Sequence, residues 1–207
     1  MPLAVLFGLC LALMRMSRFK PVSWISATYI EVVRGTPLLV QMWLVYESLP
    51  QLGKAFHTKM LTWDSFYVGI ICLAGNYAAY EAEIHRAGLQ AIDKGQREAA
   101  LSIGMSEWQS FVRVVLPQAF RIITPPVMND LIAMLKDSSL VSVIGVQELL
   151  NRAQGIGRSN FTTPQMLVAA AVIYLILSLA CYVLGRFIES RLKVQGAPEL
   201  HIDQVRH

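Results

Sequence analysis

The sequence predicts an all-α, polytopic integral membrane protein with about five transmembrane helices. Three observations lead there. Of 207 residues, 55% are hydrophobic and 15% charged, with a mean hydropathy of +0.47. A soluble domain carries about a quarter charged residues, and a globule this apolar could not cover its own surface with polar groups. Residues 166–185 form a run of twenty without a charge, about 30 Å as a helix and therefore one hydrocarbon thickness. Finally, the positive charges are segregated along the chain as a membrane orientation requires.

The spans follow in order. Residues 1–14 are apolar but reach only about 21 Å as a helix. Arg15, Arg18 and Lys20 follow this stretch, whereas a secretory signal places its charges before it. The segment reads as the second half of a first transmembrane helix whose beginning is missing or very short. Residues 22–49 form a second apolar segment that holds Glu31, Arg34 and Gly35-Thr36-Pro37 near its start. Residues 66–80 are uncharged and continue as helix through Glu81 and Glu83 towards Leu89. A fourth segment, 116–146, holds Pro125-Pro126, Asp130, Lys136 and Asp137. The second and fourth segments are expected to be broken or kinked and to line something polar, because lipid-facing helices rarely accept such residues. One transmembrane domain over 1–193 and a cytoplasmic tail over 194–207 complete the chain.

With the N-terminus outside, the segments 15–20, 86–121 and 186–207 hold twelve of the eighteen positive residues, against four in the outer loops. The positive-inside rule then puts 86–121 and the C-terminus in the cytoplasm. The formal net charge of +4 belongs to this asymmetry, and no basic patch interleaved with aromatics suggests nucleic acid. Cys10, Cys72 and Cys181 lie inside apolar runs, and the four histidines show no ligand spacing, so neither a metal nor a disulfide framework is expected. No Walker-type glycine loop occurs, and no nucleophile, base and orienting group assemble into a catalytic set. The chain is not expected to be an enzyme.

The loop at 93–117 carries the sharpest signal. Helix formers run from Gln96 to Ile103, Gly104 fits a C-cap, Ser106 an N-cap, and Pro117 the first turn of the next span. Two short helices across the membrane face would form a platform, with Ala99 and Ala100 letting a partner approach closely. Glu98-Ala99-Ala100, then Gly104 six residues after Glu98, then Val114, Leu116 and Pro117, resemble the EAA loop of ABC-transporter permease subunits. The segments 29–41, 76–88 and 136–149 resemble the polar amino acid uptake branch of that family, so the similarity covers about 1–193.

The resemblance implies a type I ABC importer permease in a bacterial inner membrane. It implies coupling roles for Glu98, Ala99, Ala100 and Gly104, which would dock in a groove of a cytoplasmic ATPase. It further implies ABC ATPase subunits that carry ATP and Mg, a second permease copy or sister subunit, and an extracytoplasmic substrate-binding protein. The substrate would be a polar amino acid moved by alternating access, with no cofactor in this chain. An ATP-independent secondary carrier or channel, or a non-transporting EAA-type subunit, are the alternatives.

Polar residues inside the spans have structural and functional readings. Glu31 and Arg34, three apart, are expected to pair with each other. Glu83 has Arg86 within reach and Glu81 has His85. Snorkelling near the interface is the favoured reading of Glu81; facing the central cavity, it would favour a cationic substrate. Asn76, Glu81, Asp130, Lys136, Ser138 and Ser139 are the candidates for the substrate pathway, with interhelical hydrogen bonding as an equal alternative for the polar groups at mid-membrane.

Overall fold

The computed structural model describes residues 1–55 and 63–192. The expected tail at 194–207 lies outside them, as does Lys59 of the outer loop. Among the described residues the chain is helical, with no strand. The helices are α1 (Pro2–Arg15), α2 (Lys20–Arg34), α3 (Leu38–Ala55), α4 (Ser65–Gln90), α5 (Lys94–Ser102), α6 (Glu107–Ser110), α7 (Leu116–Asp137), α8 (Leu149–Ser159) and α9 (Thr163–Leu192). A π-helical turn, Phe111–Val115, joins α6 to α7, and a 3-10 turn, Ser138–Ile144, follows α7.

The second expected segment is indeed interrupted. Gly35, Thr36 and Pro37 separate α2 from α3, because Pro37 supplies no N–H to an upstream carbonyl. The fourth, 116–146, is interrupted too, but not at its prolines: α7 runs as helix through Pro125-Pro126 to Asp137 and then gives way to the 3-10 turn. The Thr124 hydroxyl donates to the Phe120 carbonyl at 2.7 Å in the turn before the prolines. Helix α8 lies where the sequence suggested only an outer loop. Its start is fixed by Glu148, whose carboxylate accepts from the backbone N–H groups of Leu150 and Asn151, both at 2.7 Å.

Helix α1 lies along α4 on a seam of small residues. Ala4 and Ala12 of α1, and Ala78, Ala79 and Ala82 of α4, are all fully buried. Small side chains at four-residue spacing let two backbones approach, which is how helices associate where no hydrophobic effect separates them from lipid. A Cβ on Gly8 would stand 2.5 Å from the Cβ of Glu81 and 3.0 Å from the carbonyl oxygen of Ala78. Helix α2 is tied to α1 by the Ser26 hydroxyl, which donates to the Leu11 carbonyl at 2.7 Å in a buried position. It is tied to α4 by Tyr29, which donates to the Gly75 carbonyl at 3.0 Å. Helix α9 packs on α7 and α8, with Gly185 against Met128. By length and composition α9 is the one helix among the described residues that qualifies as a span unaided, and its surface is almost wholly exposed apolar side chains, as a lipid-facing helix requires.

The seam makes a measurable demand. Gly8→Val should lower stability by about 1–3 kcal/mol, the cost of overpacking a closed contact, and so lower the melting temperature in mild detergent. Gly155→Ala, with nothing within 4 Å of its Cβ, should not. Equal melting for Gly8→Val and the unsubstituted chain would show that α1 is not seated on α4.

Candidate functional site: a polar cavity and a loop platform

The break between α2 and α3 opens onto a cavity of about 520 Å³ near the middle of α4. Arg34 and residues 35–37 form one wall, Asn76, Tyr77 and Tyr80 of α4 another, and Asp130 and Asp137 of α7 a third. A second hollow of about 530 Å³ shares Arg34, Tyr80 and Asp130 with it and continues past Glu83 and Gly88 towards Ile122. The two hollows therefore share their charged residues around Arg34 and Asp130, and beyond Glu83 the second is lined by apolar side chains. A larger hollow of about 730 Å³ between α1, α2, α3 and α4 contains no charged side chain, and only Thr36, Gln41, Asn76 and Tyr29 give it polar groups. Size does not single out the polar cavity, since a further hollow of about 780 Å³ lies beside α5 and α6; charge of both signs beside the helix break does.

Gln41 organises the break. Its amide nitrogen donates to the Val33 carbonyl at 2.8 Å, the Thr36 carbonyl at 3.1 Å and the Thr36 hydroxyl at 2.7 Å. Its side-chain oxygen accepts from the Asn76 amide at 3.0 Å. One side chain thus satisfies carbonyls that the interrupted helix cannot, and ties the break to α4. Across the cavity, Tyr77 donates to an Asp137 carboxylate oxygen at 2.8 Å. The Arg34 guanidinium carbon lies 5.3 Å from the centre of the Tyr80 ring, a cation–π arrangement. One carboxylate oxygen of Asp130 is buried with no hydrogen-bond partner among the described residues.

Of the residues expected in the pathway, Asn76 and Asp130 line this cavity. The other four do not. Glu81 is fully buried on the α1 side of α4, against Gly8, with His85 at 3.7 Å. Both the snorkelling and the cavity-facing readings of Glu81 are therefore corrected: the close α1–α4 contact seals the carboxylate inside the seam. Lys136 is exposed on the last turn of α7, one position and so about 100° of helix rotation from Asp137, which does line the cavity. Ser138 turns back to donate to the Leu135 carbonyl at 2.6 Å, and Ser139 sits half-buried in the 3-10 turn.

The expected Glu31–Arg34 pair is also corrected. Glu31 instead meets Arg15 across the α1–α2 turn at 3.7 Å, leaving Arg34 to the cavity. Glu83 and Arg86 pair as expected, at 2.6 Å. Arg34, Tyr77, Tyr80 and Asp137 were not among the pathway candidates. A signal existed: Tyr77 and Tyr80 are three apart, and Asp130 and Asp137 seven apart, so each pair shares one helix face.

On the cytoplasmic side of the expected topology, Asp93 caps α5 by accepting from the Gly95 N–H at 2.6 Å. Glu98 and Ala99 are exposed, whereas Ala100 is buried and packs inward, so it is not available to a partner. Gly104 follows α5 with φ of +87°, a left-handed conformation that suits glycine. Ser106 and Gln109 then form a reciprocal capping box. The platform differs from two separate short helices in one respect: α6, the π turn and α7 follow without interruption, so Pro117 lies inside a continuous helix, just after the π turn, where its missing N–H removes one bond from the ladder. Arg97 of α5 is clamped to Glu107 of α6 through Nε at 3.0 Å and a terminal nitrogen at 2.6 Å. Gly104→Val should cost about 1–2 kcal/mol through the left-handed strain, read as lowered thermal stability, while Ser102→Ala, exposed and bonded only within its own helix turn, should stay within about 0.5 kcal/mol.

Comparison with known proteins places this geometry. The family model of the binding-protein-dependent transport system inner membrane component matches residues 4–194. The arginine transport system permease protein ArtQ of Bacillus subtilis (strain 168) is 39% identical over 191 residues, covering 92% of this chain and 84% of that protein. The L-cystine transport system permease protein TcyB of the same organism is 40% identical over 195 residues, covering 92% and 80%. The crystal structure of an amino acid ABC transporter with histidines superposes with a TM-score of 0.83 at 42% identity, covering 92% of this chain and 86% of the other. The fold is thus shared, and the chain belongs to the family of binding-protein-dependent transport system inner membrane components, as a permease subunit.

Proposed function

We propose that this permease subunit moves polar amino acids inward through the cavity between α2, α4 and α7. The observation that carries the reading is charge of both signs facing one polar cavity: Arg34 on one wall, Asp130 and Asp137 on another. A zwitterion needs both. Arg34 would take the α-carboxylate, with residues 35–37 beside it where the helix is interrupted. Asp130, with its unpartnered carboxylate oxygen, would take a cationic side chain, and Asp137 the ammonium group. The relatives' names, for arginine and cystine, and the histidines in the similar structure, support an amino acid substrate. With Glu81 sealed away, the cation preference passes to Asp130 and Asp137.

Energy comes from a separate ABC ATPase that binds ATP and Mg and docks on α5 through Glu98, Ala99 and Gly104. The clamp of Arg97 on Glu107 and the continuous α6–α7 helix carry that motion to Asp130 and Asp137. A second permease copy completes the pathway, and an extracytoplasmic binding protein delivers substrate to the outward-facing state. The platform and the C-terminus then lie in the cytoplasm, in a bacterial inner membrane, with 1–193 forming the transmembrane domain.

Two measurements test this. Asp130→Asn should lower uptake of lysine or arginine roughly tenfold or more, the loss of one charge-assisted hydrogen bond worth about 1.5–3 kcal/mol, while glutamine uptake changes far less. Equal loss for both substrates would remove Asp130 from side-chain recognition. Glu98→Lys should abolish ATP-driven uptake and ATPase copurification while leaving insertion intact; uptake at the unsubstituted rate would refute the docking role.

A further inference from the structure

The turn between α1 and α2 carries a feature that neither the cavity nor the platform uses. Arg15, Arg18 and Lys20 lie within six residues, and no acidic residue precedes Glu31. Glu31 meets only Arg15, at 3.7 Å, and Arg18 and Lys20 are exposed without a partner among the described residues. Beside them lies an open hollow of about 700 Å³, lined by Arg15, Ser17, Lys20, Ser23, Trp24 and Ala27 among others. Trp24 is 72% exposed, and Phe19 and Ile25 are exposed as well. The order along α2 is directional: cations at the elbow, then Trp24, then the small Ala27 one turn deeper into the helix.

From this arrangement we infer that the α1–α2 elbow is a binding site for an anionic glycerophospholipid. Its phosphate is held by Arg15 and Lys20, with Arg18 beside them, and an acyl chain lies against Trp24 and Ala27. The charge is right for the occupant, since the elbow keeps two unpaired cations after Arg15 is matched to Glu31. The sequence of chemistry is also right. A lipid presents its phosphate and its apolar chain in the same order, headgroup at the membrane surface and chain inward, and a tryptophan at that boundary suits the level between them. A soluble partner with an acidic patch would match the cations but leave Trp24 and Ile25 unexplained. The inference rests on the membrane orientation proposed above, which puts this elbow at the cytoplasmic interface.

The test uses the permease purified in mild detergent with its ATPase, incubated with equal amounts of phosphatidylglycerol and phosphatidylcholine and read by native mass spectrometry. The unsubstituted complex should retain phosphatidylglycerol preferentially. Arg18→Gln with Lys20→Gln should reduce that preference roughly thirty-fold, two cations at about 1 kcal/mol each converted at 1.4 kcal/mol per decade. Lys20→Gln alone should give an intermediate loss, should the double variant assemble poorly. Arg113→Gln with Arg121→Gln, cations of the same expected face but away from the elbow, should leave the preference intact. Equal retention of both lipids by the unsubstituted complex would overturn the site. So would an equal loss in the Arg113 and Arg121 variant, which would reduce the effect to diffuse surface charge. Quantitative cross-linking of Lys20 to the ATPase or to a second permease copy would hand the elbow to a protein partner and overturn it too. ATP-driven amino acid uptake, measured on the same preparations after reconstitution, separates the two readings: intact uptake without lipid preference defeats the lipid site alone, whereas absent uptake and a missing ATPase defeat the proposed function.

Discussion

The architecture depends on how one interrupted helix is made tolerable inside a bilayer. A helix that stops in hydrocarbon exposes carbonyls that lipid cannot satisfy, each at a cost of several kcal/mol. Gln41 answers that demand with a single amide, which donates to Val33 and Thr36 while its oxygen accepts from Asn76. The break therefore does not drift; it is fixed against the middle of α4. Arg34 sits at the end of α2 as a direct result, and that placement turns it from a partner for Glu31 into a wall of the cavity. The charge chemistry of the site follows from the hydrogen bonding of the break.

Helix α4 is the common element. On one side it takes α1 along a small-residue seam, and on another it presents Asn76, Tyr77 and Tyr80 to the cavity. A helix can serve two such neighbours only if its side chains are sorted by face, and they are: Ala78 and Ala82 with Glu81 towards α1, Tyr77 and Tyr80 towards α7. Adjacent positions on a helix are about 100° apart, so Tyr80 and Glu81 fall to different neighbours although they touch in sequence. The same rotation separates Lys136 from Asp137 on α7.

This rotation also explains what was legible in the sequence and what was not. The apolar runs marked α1 and α4 to within a few residues and the middle of α9, which extends seven residues past its run at the C-terminal end, because a membrane helix is announced by composition. The caps at Ser106 and Gly104 were readable because each depends on local backbone chemistry. Asn76 and Asp130 could be nominated as polar groups in apolar company, but Glu81, Lys136, Ser138 and Ser139 satisfied the same description and face elsewhere. Facing is decided by which neighbour lies beside the helix, and the spacing within one helix carries no record of that. Helix α8 was hidden for another reason. Its eleven residues include two glycines, Gly155 and Gly157, which weaken any helical signal, and its start depends on Glu148, whose carboxylate also accepts from Tyr174 of α9 at 2.8 Å.

One continuous helical segment joins the platform to the cavity. From Glu107 to Asp137 the chain runs through α6, the π turn and α7 without a break, so the segment that holds Glu107 against Arg97 also holds Asp130 and Asp137 against Arg34. A rigid α-helix would move these ends together. The π turn at Phe111–Val115 interrupts the regular bonding between them, and such turns are uncommon outside functional sites because their geometry is less favourable than that of the regular helix. Placed between the platform and the prolines of α7, it gives the segment one position where the angle between its halves can change without unfolding either. In the proposed function, a displacement of the platform would reach the carboxylates at the cavity through the sequence 111–115, with no direct contact needed between the two ends.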